Sequence, residues 1–330
     1  MIVDDSSVVR ALTSKELSSA PNIKIVATAC DGEEAIRHAK KHQPDVIILD
    51  IEMPVMDGIS ALPKILEAAP KAKIIMASRL THNGAETTIK ALELGAVDYI
   101  PKPTIDVLDQ YYEELRRKVL SFEPLVITPI ALPPAPEPVK TSIDNKAGSK
   151  VTALAIASST GGPQALFKVF EGLADHLSHI PIFITQHMPA TFTTVFAEHL
   201  GQIGKMPSHE GKNYEVVKAG QIYLAPGNYH MIAEKQGSEV IIRTNQDPHV
   251  NFCRPAADPM FKSLSNIYGS GLLAVVLTGM GSDGADGAQT IANNGGAVIA
   301  QDAESSVIYG MPRAVAERGI CQNVLPLSKI

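Results

Sequence analysis

The sequence predicts an α/β protein of two doubly wound domains, each a mostly parallel sheet with helices on both faces. Short apolar runs of strand length alternate with amphipathic helical segments in residues 1–120, and a second alternation fills residues 151–330. Between them, residues 121–150 are rich in proline and polar residues, which is typical of an interdomain linker. A chain of 330 residues with 45% hydrophobic content can build two sizeable cores.

The composition argues against several classes of protein. The net charge of −6 gives no excess of positive charge with which to bind nucleic acid. No apolar run approaches the roughly 18 residues of a membrane span, and the acidic N-terminus is unlike a signal peptide. The three cysteines have no metal-ligand spacing and cannot all pair with one another. We therefore expect a cytoplasmic protein that binds neither nucleic acid nor membrane lipid directly.

The first alternation defines most of the elements of residues 1–120. The strand candidates are Ile23–Ala29, Val46–Leu49, Ile74–Ala77 and Ala96–Ile100. The helix candidates are Glu33–Lys41, Gly58–Ala69 and Asn83–Leu94. Only three residues precede Asp4, so we expect a short first strand, and either a start further upstream or a weakened sheet edge.

Charged and polar side chains follow the strands of this half. Asp4 and Asp5 follow the first strand, Asp50 ends the run VIILD, and Ser78 and Lys102 end two later strands. The carboxyl ends of parallel strands meet at one edge of a sheet, where ligands bind. Three carboxylates there repel one another unless a divalent cation binds among them, and Mg²⁺ needs few protein oxygens. The pattern predicts a Mg²⁺ site whose bound ion can also coordinate a phosphoryl group.

Residues 2–120 resemble the flavodoxin-like receiver domain of bacterial response regulators, through the blocks IVDDS, DIEMPVMDG and DYIPKP. The resemblance implies that Asp50 is the phosphoacceptor. It also implies that Asp5 and Asp50 bind Mg²⁺ directly, with Asp4 assisting through water and the backbone carbonyl of Glu52 as a further ligand.

The same resemblance implies a switch. Ser78 would sense the phosphoryl group through its hydroxyl, Lys102 would pair with it, and Tyr99 would reposition together with Ser78. An aspartyl phosphate adds roughly −1.5 to −2 charge units, and these side chains can move in response to that added charge. A chemotaxis histidine kinase would be the phosphodonor.

The second alternation predicts another mostly parallel sheet, with some antiparallel strands near Gly220–Thr244. Its strand candidates are Thr152–Ala157, Ile182–Thr185, Gln221–Ala225, Glu239–Arg243, Leu272–Leu277 and Ala297–Ala300. The first of these runs into a Gly-Gly turn with two serines at the corner, and Pro163 then fits a first helical turn.

Three strand ends carry the residue types of nucleophilic catalysis. Ser158 and Ser159 follow the first strand, His187 the second, and Asp283 a glycine-rich corner near the chain's end. Serine needs a base, histidine titrates near neutral pH, and an aspartate can hold its tautomer. Side chains alternate along a strand, so only one serine should face the site. From the residues alone, a structural histidine and a tight loop or phosphate cradle at Asp283 stay open.

Residues 151–330 are similar to the catalytic domain of protein-glutamate methylesterases of bacterial chemotaxis. The blocks STGG, ITQHMP, YLAPGNYHM, LTGMGSDGA and GMPRAV carry the similarity. It implies that Ser159 is the nucleophile, His187 the general base and Asp283 the group that orients the base. The backbone N–H of Thr160 is then the first candidate for the oxyanion hole, and the corner at Met280 offers a second.

The two resemblances together imply a monomeric, phosphorylation-activated enzyme that hydrolyses glutamyl γ-methyl esters on chemoreceptors and deamidates certain glutamines. The esterase chemistry would need no cofactor. The unphosphorylated receiver would cover the mouth of the active site.

Four residues depart from the methylesterase pattern. Ala157 and Ser158 stand where the family usually has glycine and alanine, and Cys253 and Ala256 where it often has histidine and serine. These departures leave a second interpretation open, in which the output half is a non-catalytic module that binds a partner. A general small-ester hydrolase is a third. A DNA-binding regulator is disfavoured, because no helix-turn-helix pattern or basic patch is present.

Overall fold

The computed structural model describes residues 1–79, 81–103, 108–122, 150–173 and 176–330. Nearly all of the predicted linker over 121–150 lies outside these residues. The described residues form a five-stranded sheet, a seven-stranded sheet and a three-stranded sheet. No helix among them is both long enough and apolar enough to cross a membrane.

The five-stranded sheet belongs to the first half of the chain. Its strands are β1 (Ile2–Val3), β2 (Thr28–Ala29), β3 (Val46–Asp50), β4 (Lys73–Ser78) and β5 (Asp98–Pro101). Its helices are α1 (Ser7–Ser18), α2 (Gly32–His42), α3 (Gly58–Ala68), α4 (His82–Glu93) and α5 (Leu108–Ser121). The strand order is β2-β1-β3-β4-β5, and all neighbours are parallel. This is the doubly wound arrangement that the alternation predicted.

One predicted strand of this half is wrong over most of its length. Of Ile23–Ala29, only Thr28–Ala29 forms a strand. The reason is the short first strand: β1 has two residues, which pair with Thr28 and Ala29 on one side and with β3 on the other. Residues 23–26 therefore have no strand beside them to complete a ladder.

The seven-stranded sheet lies in the second half. Its strands are β6 (Ala153–Ser158), β7 (Ile182–Gln186), β8 (Ser208–Glu210), β10 (Ile222–Leu224), β13 (Leu272–Val276), β14 (Ala297–Gln301) and β15 (Asn323–Leu325). Its helices are α6 (Gly162–Leu173), α7 (Ala190–Gly204), α8 (Ala257–Tyr268), α9 (Ala285–Asn293) and α10 (Met311–Ala316). The separate sheet consists of β9 (Glu215–Val216), β11 (His230–Gln236) and β12 (Glu239–Asn245), all antiparallel as predicted.

The order of the large sheet creates a crevice at its carboxyl edge. The order is β15-β14-β13-β6-β7-β10-β8. Strands β7, β8 and β10 are added on one side of β6, and strands β13, β14 and β15 are added later on its other side. Open α/β sheets bind ligands where the strand order reverses. The loops after β6, β7 and β13 meet at this reversal.

The two halves pack against each other through the C-terminal part of α4, β5 and the start of α6 and α7. The ring of Tyr99 stacks on Phe192 with centroids 4.4 Å apart. The side-chain amide of Gln164 donates to the carbonyls of Leu92 and Ala96, at 3.1 and 2.9 Å. The core that covers one face of the large sheet therefore continues into the first half.

Candidate active site

The corner after β6 separates its two serines. Ser158 is fully buried, and its hydroxyl donates to Oε1 of Gln186 at 2.6 Å. Ser159 is half-buried and lines a cavity of about 650 Å³ together with His187 and Asp283. The alternation of side chains along the strand produces this difference, so Ser159 is the serine that a substrate can reach.

Two glycines let the chain pass closely around Ser159. Gly161 has φ of +75°, in the left-handed region that glycine adopts at little cost, and opens the turn into α6. A Cβ on Gly279 would lie 2.8 Å from the Cβ of Ser159 and 3.0 Å from its nitrogen. Gly279 therefore allows the loop after β13 to pass beside the serine corner.

His187 and Asp283 form a hydrogen bond across the reversal. Oδ2 of Asp283 lies 2.8 Å from Nε2 of His187, and a carboxylate can only accept, so Nε2 carries the proton. Asp283 also accepts from the backbone N–H groups of Ala257 and Asp258, at 2.6 and 3.2 Å. Burial by itself raises the pKa of Asp283, but these hydrogen bonds outweigh it and lower the pKa below its ordinary value.

The other nitrogen of the imidazole faces Cys253. Sγ of Cys253 lies 3.4 Å from Nδ1 of His187. Burial opposes the charged imidazole, but the contacts with Asp283 and Cys253 outweigh it and raise the pKa of His187 to about 10. Within the described residues, no hydrogen bond joins Ser159 to His187. The cysteine that departs from the family pattern thus occupies the side of the base on which a nucleophile would approach.

The other three departures lie within the fold around this corner. Ala157 is fully buried in β6, one residue before Ser158. Ala256 is fully buried at the start of α8, and its backbone N–H donates to Nδ1 of His230 at 3.2 Å. Ala256 provides no side-chain cap for the helix.

The candidate oxyanion donors are available in the described part of the chain. The backbone N–H groups of Thr160 and Met280 donate to no backbone carbonyl there. Both residues line the cavity that contains Ser159. Unpaired N–H groups beside a nucleophile can bind an oxyanion.

The first half of the chain supplies one wall of this cavity. Oγ1 of Thr160 donates to Oδ2 of Asp98 at 2.8 Å, and Nζ of Lys118 lies 2.6 Å from the same oxygen. The N–H of Gly161 donates to the carbonyl of Val97 at 3.1 Å. The residue that follows Ser159 is therefore tied to β5 and α5.

A second cluster of charged side chains lies at the carboxyl edge of the five-stranded sheet. The carboxylate oxygens of Asp4, Asp5 and Asp50 come within 4.8 Å of one another. Nζ of Lys102 lies 2.9 Å from Asp4 and 2.6 Å from Oδ2 of Asp50. Burial raises the pKa of Asp50 more than Lys102 lowers it. The predicted acidic set and its lysine are thus brought together.

Among the described residues, the side chains of Ser78, Tyr99 and Glu52 form no hydrogen bond with Asp50. The buried hydroxyl of Ser78 donates to the carbonyl of Gly84 at 3.1 Å. Tyr99 is buried against the second half, as described above. The backbone N–H of Glu52 lies 3.4 Å from Oδ1 of Asp50, while its carboxylate pairs with Arg79 at 3.2 Å.

The structure adds functional candidates that the sequence did not single out. Asp98 and Gln164 join the two halves at the serine corner, and Lys118 pairs with Asp98 there. Asn251 donates to Oδ1 of Asp283 at 3.3 Å and so helps to hold the group that orients the base. None of them stands in a spacing pattern of its own, since each acts only through a distant part of the chain.

Comparisons with known proteins match both halves of the chain. The family described as CheB methylesterase matches residues 154–330, and the family described as response regulator receiver domain matches residues 1–113. A protein-glutamate methylesterase/protein-glutamine glutaminase of Rhodopseudomonas palustris is 47% identical across 100% of this chain and 91% of its own length. One of Paramagnetospirillum magneticum is 42% identical across 100% of this chain and 93% of its own length.

A solved structure matches the second half of the chain. The catalytic domain of the Thermotoga maritima CheB methylesterase is 38% identical, with a TM-score of 0.52. The match covers 54% of this chain and 94% of that one.

Proposed function

Since the chain belongs to the CheB methylesterase family and carries a response regulator receiver domain, we propose that it hydrolyses glutamyl γ-methyl esters on chemoreceptors under control of phosphorylation at Asp50. The observation that carries the proposal is the meeting of Ser159, His187 and Asp283 at one cavity, with the base hydrogen-bonded to the carboxylate at 2.8 Å.

The reaction begins with attack by Ser159. In the neutral form of His187, Asp283 holds the Nε2–H, which leaves the lone pair of Nδ1 to accept the serine proton. The serine oxygen bonds to the ester carbonyl carbon, and methanol departs with the proton that His187 returns. Water then attacks the acyl-enzyme with His187 again as base, which releases the glutamate side chain and restores the serine.

The negative charge of each tetrahedral intermediate falls on the former carbonyl oxygen. We assign the N–H groups of Thr160 and Met280 as the hydrogen-bond donors to this oxygen. Neither group donates to a backbone carbonyl of the described residues, which supports the assignment. Loss of one such donor costs about 10²–10³ in kcat in other hydrolases. A glutamine side chain in the same position would give the same acyl-enzyme with ammonia as the leaving group, which accounts for deamidation.

The receiver domain controls access to this chemistry. Asp98 accepts from Thr160 and pairs with Lys118, which itself lines the cavity, so we take the arrangement described here as the covered form. A phosphoryl group on Asp50 would draw the hydroxyl of Ser78 away from the start of α4 and change the position of Lys102. Movement of α4 and β5 then weakens the contacts with the catalytic domain and shifts the population toward an open form.

The receiver site fits Mg²⁺. Its donors are the carboxylate oxygens of Asp4, Asp5 and Asp50, the ligand type that this ion prefers. Oδ2 of Asp50 is buried and accepts no well-aligned hydrogen bond within the described residues, although Lys102 is close enough to pair with it. Bound Mg²⁺ would neutralise charge during phosphoryl transfer, and the backbone carbonyl of Glu52 would complete the protein ligands.

The partners follow from the same proposal. The substrates are methyl-accepting chemoreceptors, and a chemotaxis histidine kinase supplies the phosphoryl group. One observation favours a second candidate, a receiver-controlled module that binds its partner without catalysis: Nδ1 of His187 contacts Cys253, and no hydrogen bond joins it to Ser159 within the described chain. Catalytic hydrogen bonds are often loose before substrate binds, which favours the enzyme.

The test is methanol release from methylated receptor membranes. We expect the wild-type protein to release methanol and Ser159→Ala to release none, whereas Ser158→Ala, the neighbouring serine, retains most of the activity. Methanol release that survives Ser159→Ala would overturn the mechanism. A folded wild-type protein that releases none, with or without phosphodonor, would favour the binding module.

A further inference from the structure

An exposed phenylalanine lies at the mouth of the catalytic cavity. The side chain of Phe252 is 92% exposed, more than that of any other large apolar residue in the described ranges. It lines the same cavity as Ser159 and His187. An aromatic side chain buries 150–250 Å² when it packs, about the largest apolar gain available to one residue, and Phe252 buries little of its surface against the described residues.

The backbone at this position is strained. Asn251 has φ of +52° and Phe252 has φ of +64°, so two successive residues other than glycine lie in the left-handed region. This conformation is unfavourable for an L-residue, and asparagine tolerates it better than phenylalanine. Strain of this kind persists only where the surroundings impose it, and it is concentrated at functional sites.

The surroundings do impose it. Val250 and Cys253 exchange backbone hydrogen bonds of 3.1 and 2.9 Å, which closes the turn around residues 251 and 252. The amide of Asn251 donates to Asp258 and to Asp283, at 3.0 and 3.3 Å. The turn is therefore attached to the group that orients the base.

Arg254, which directly follows the turn, also holds it in place. The guanidinium of Arg254 donates to Oδ1 of Asn228 at 2.8 Å and to the carbonyls of Gln246 and Asp247 at 2.9 and 3.1 Å. The phenyl ring is thus presented outward from a turn that is fixed on both sides.

We propose that Phe252 is a specificity-determining residue, whose ring packs on an apolar side chain of the receptor segment that flanks the modified glutamate. The inference rests on the function proposed above. Cys253, the neighbouring residue, touches Nδ1 of His187, so an ester that reaches the base must bring its flanking residues past position 252. A phenyl ring offers no hydrogen bond, which is why the complementary group on the substrate is apolar.

The test removes the ring without adding strain. Phe252→Gly relieves the left-handed conformation, so the variant should fold at least as well as the wild type. With phosphodonor and magnesium present, we expect the KM for methylated receptor to rise by about tenfold or more, as for loss of an aromatic contact residue, with kcat little changed. Hydrolysis of a small glutamate γ-methyl ester should be unaffected. In Phe252→Leu, which keeps an apolar side chain, the KM for methylated receptor should return most of the way to the wild-type value.

Tyr214→Gly is the matched control, because Tyr214 is also an exposed aromatic residue, 68% exposed and with φ of +66°, but does not line the cavity. Binding of the receptor segment to Ser159→Ala protein, with and without Phe252→Gly, provides a readout that needs no turnover. Weaker binding only when Phe252 is absent supports the inference. Equal binding overturns it, whereas a wild-type protein that binds but releases no methanol overturns the proposed function alone.

Discussion

Replacing Gln164 should release the catalytic domain from its receiver. The amide of Gln164, in the first turn of α6, donates to the carbonyls of Leu92 and Ala96 across the interface, at 3.1 and 2.9 Å. Gln164→Met preserves the length of the side chain and removes both hydrogen bonds. A neutral hydrogen bond contributes about 0.5–1.5 kcal/mol, so two together stabilise the covered form by about 1–3 kcal/mol.

That free energy sets the size of the effect. A change of 1–3 kcal/mol shifts the equilibrium between covered and open forms by about 5- to 150-fold. If the covered form predominates, methanol release without phosphodonor should rise by this factor, up to the rate of the phosphorylated enzyme. The rate with phosphodonor should change little, so the activation ratio falls.

The assay compares initial rates of methanol release from receptor membranes with and without phosphodonor. Gln289→Met is the matched control, since the amide of Gln289 is exposed on α9 and donates only to Asn293 in the same helix. An unchanged basal rate in Gln164→Met, with the same thermal stability as the control, would refute the assignment of these contacts to inhibition.

Three further predictions concern the catalytic domain. Asp283→Asn should lower kcat by up to about 10⁴-fold through loss of the correct His187 tautomer, with little change in KM, as steady-state kinetics will show. Cys253→Ala removes a contact that raises the pKa of His187. Because the base must be neutral to accept a proton, the acid limb of the kcat/KM profile should move to lower pH; an unchanged limb would contradict the contact's role. Phe170→Ala empties a fully buried position in α6 and should cost about 3–5 kcal/mol in urea unfolding.

The sequence predicted the central strands of the parallel sheets best, because these strands are buried on both faces. The predicted apolar runs Val46–Leu49 and Ile74–Ala77 lie within β3 and β4, whereas β8, β9 and β15, of two or three residues each, were not predicted. The comparisons confirm the predicted family, enzyme class and α/β fold. Of the helices, the sequence predicted α2, α3, α4 and the first turn of α6, and it did not single out the others. Helix α1 buries only Thr13 and Leu17, and α5 only Tyr111 and Leu115, so neither shows a broad apolar stripe.

The candidate residues of the catalytic cavity could be named from the sequence, but their arrangement could not. Strand ends drew attention to Ser159, His187 and Asp283, and only the resemblance to methylesterases implied a role for each. The contact of Cys253 with Nδ1 of His187 depends on a loop 66 positions along the chain. The tie between Thr160 and Asp98 spans 62 positions and crosses from one sheet to the other. Periodicity is a local property and carries no information about such contacts. The assigned roles of all these residues stay predictions until variants are assayed.

We propose above that phosphorylation at Asp50 uncovers the Ser159 site. The most direct test measures methanol release from methylated receptor membranes with and without a small phosphodonor and magnesium, for the wild type and for Asp50→Ala. We expect the phosphodonor to raise the rate of the wild type and to leave that of Asp50→Ala at the basal level. Equal stimulation of both proteins, or none of the wild type while it remains active, would contradict it.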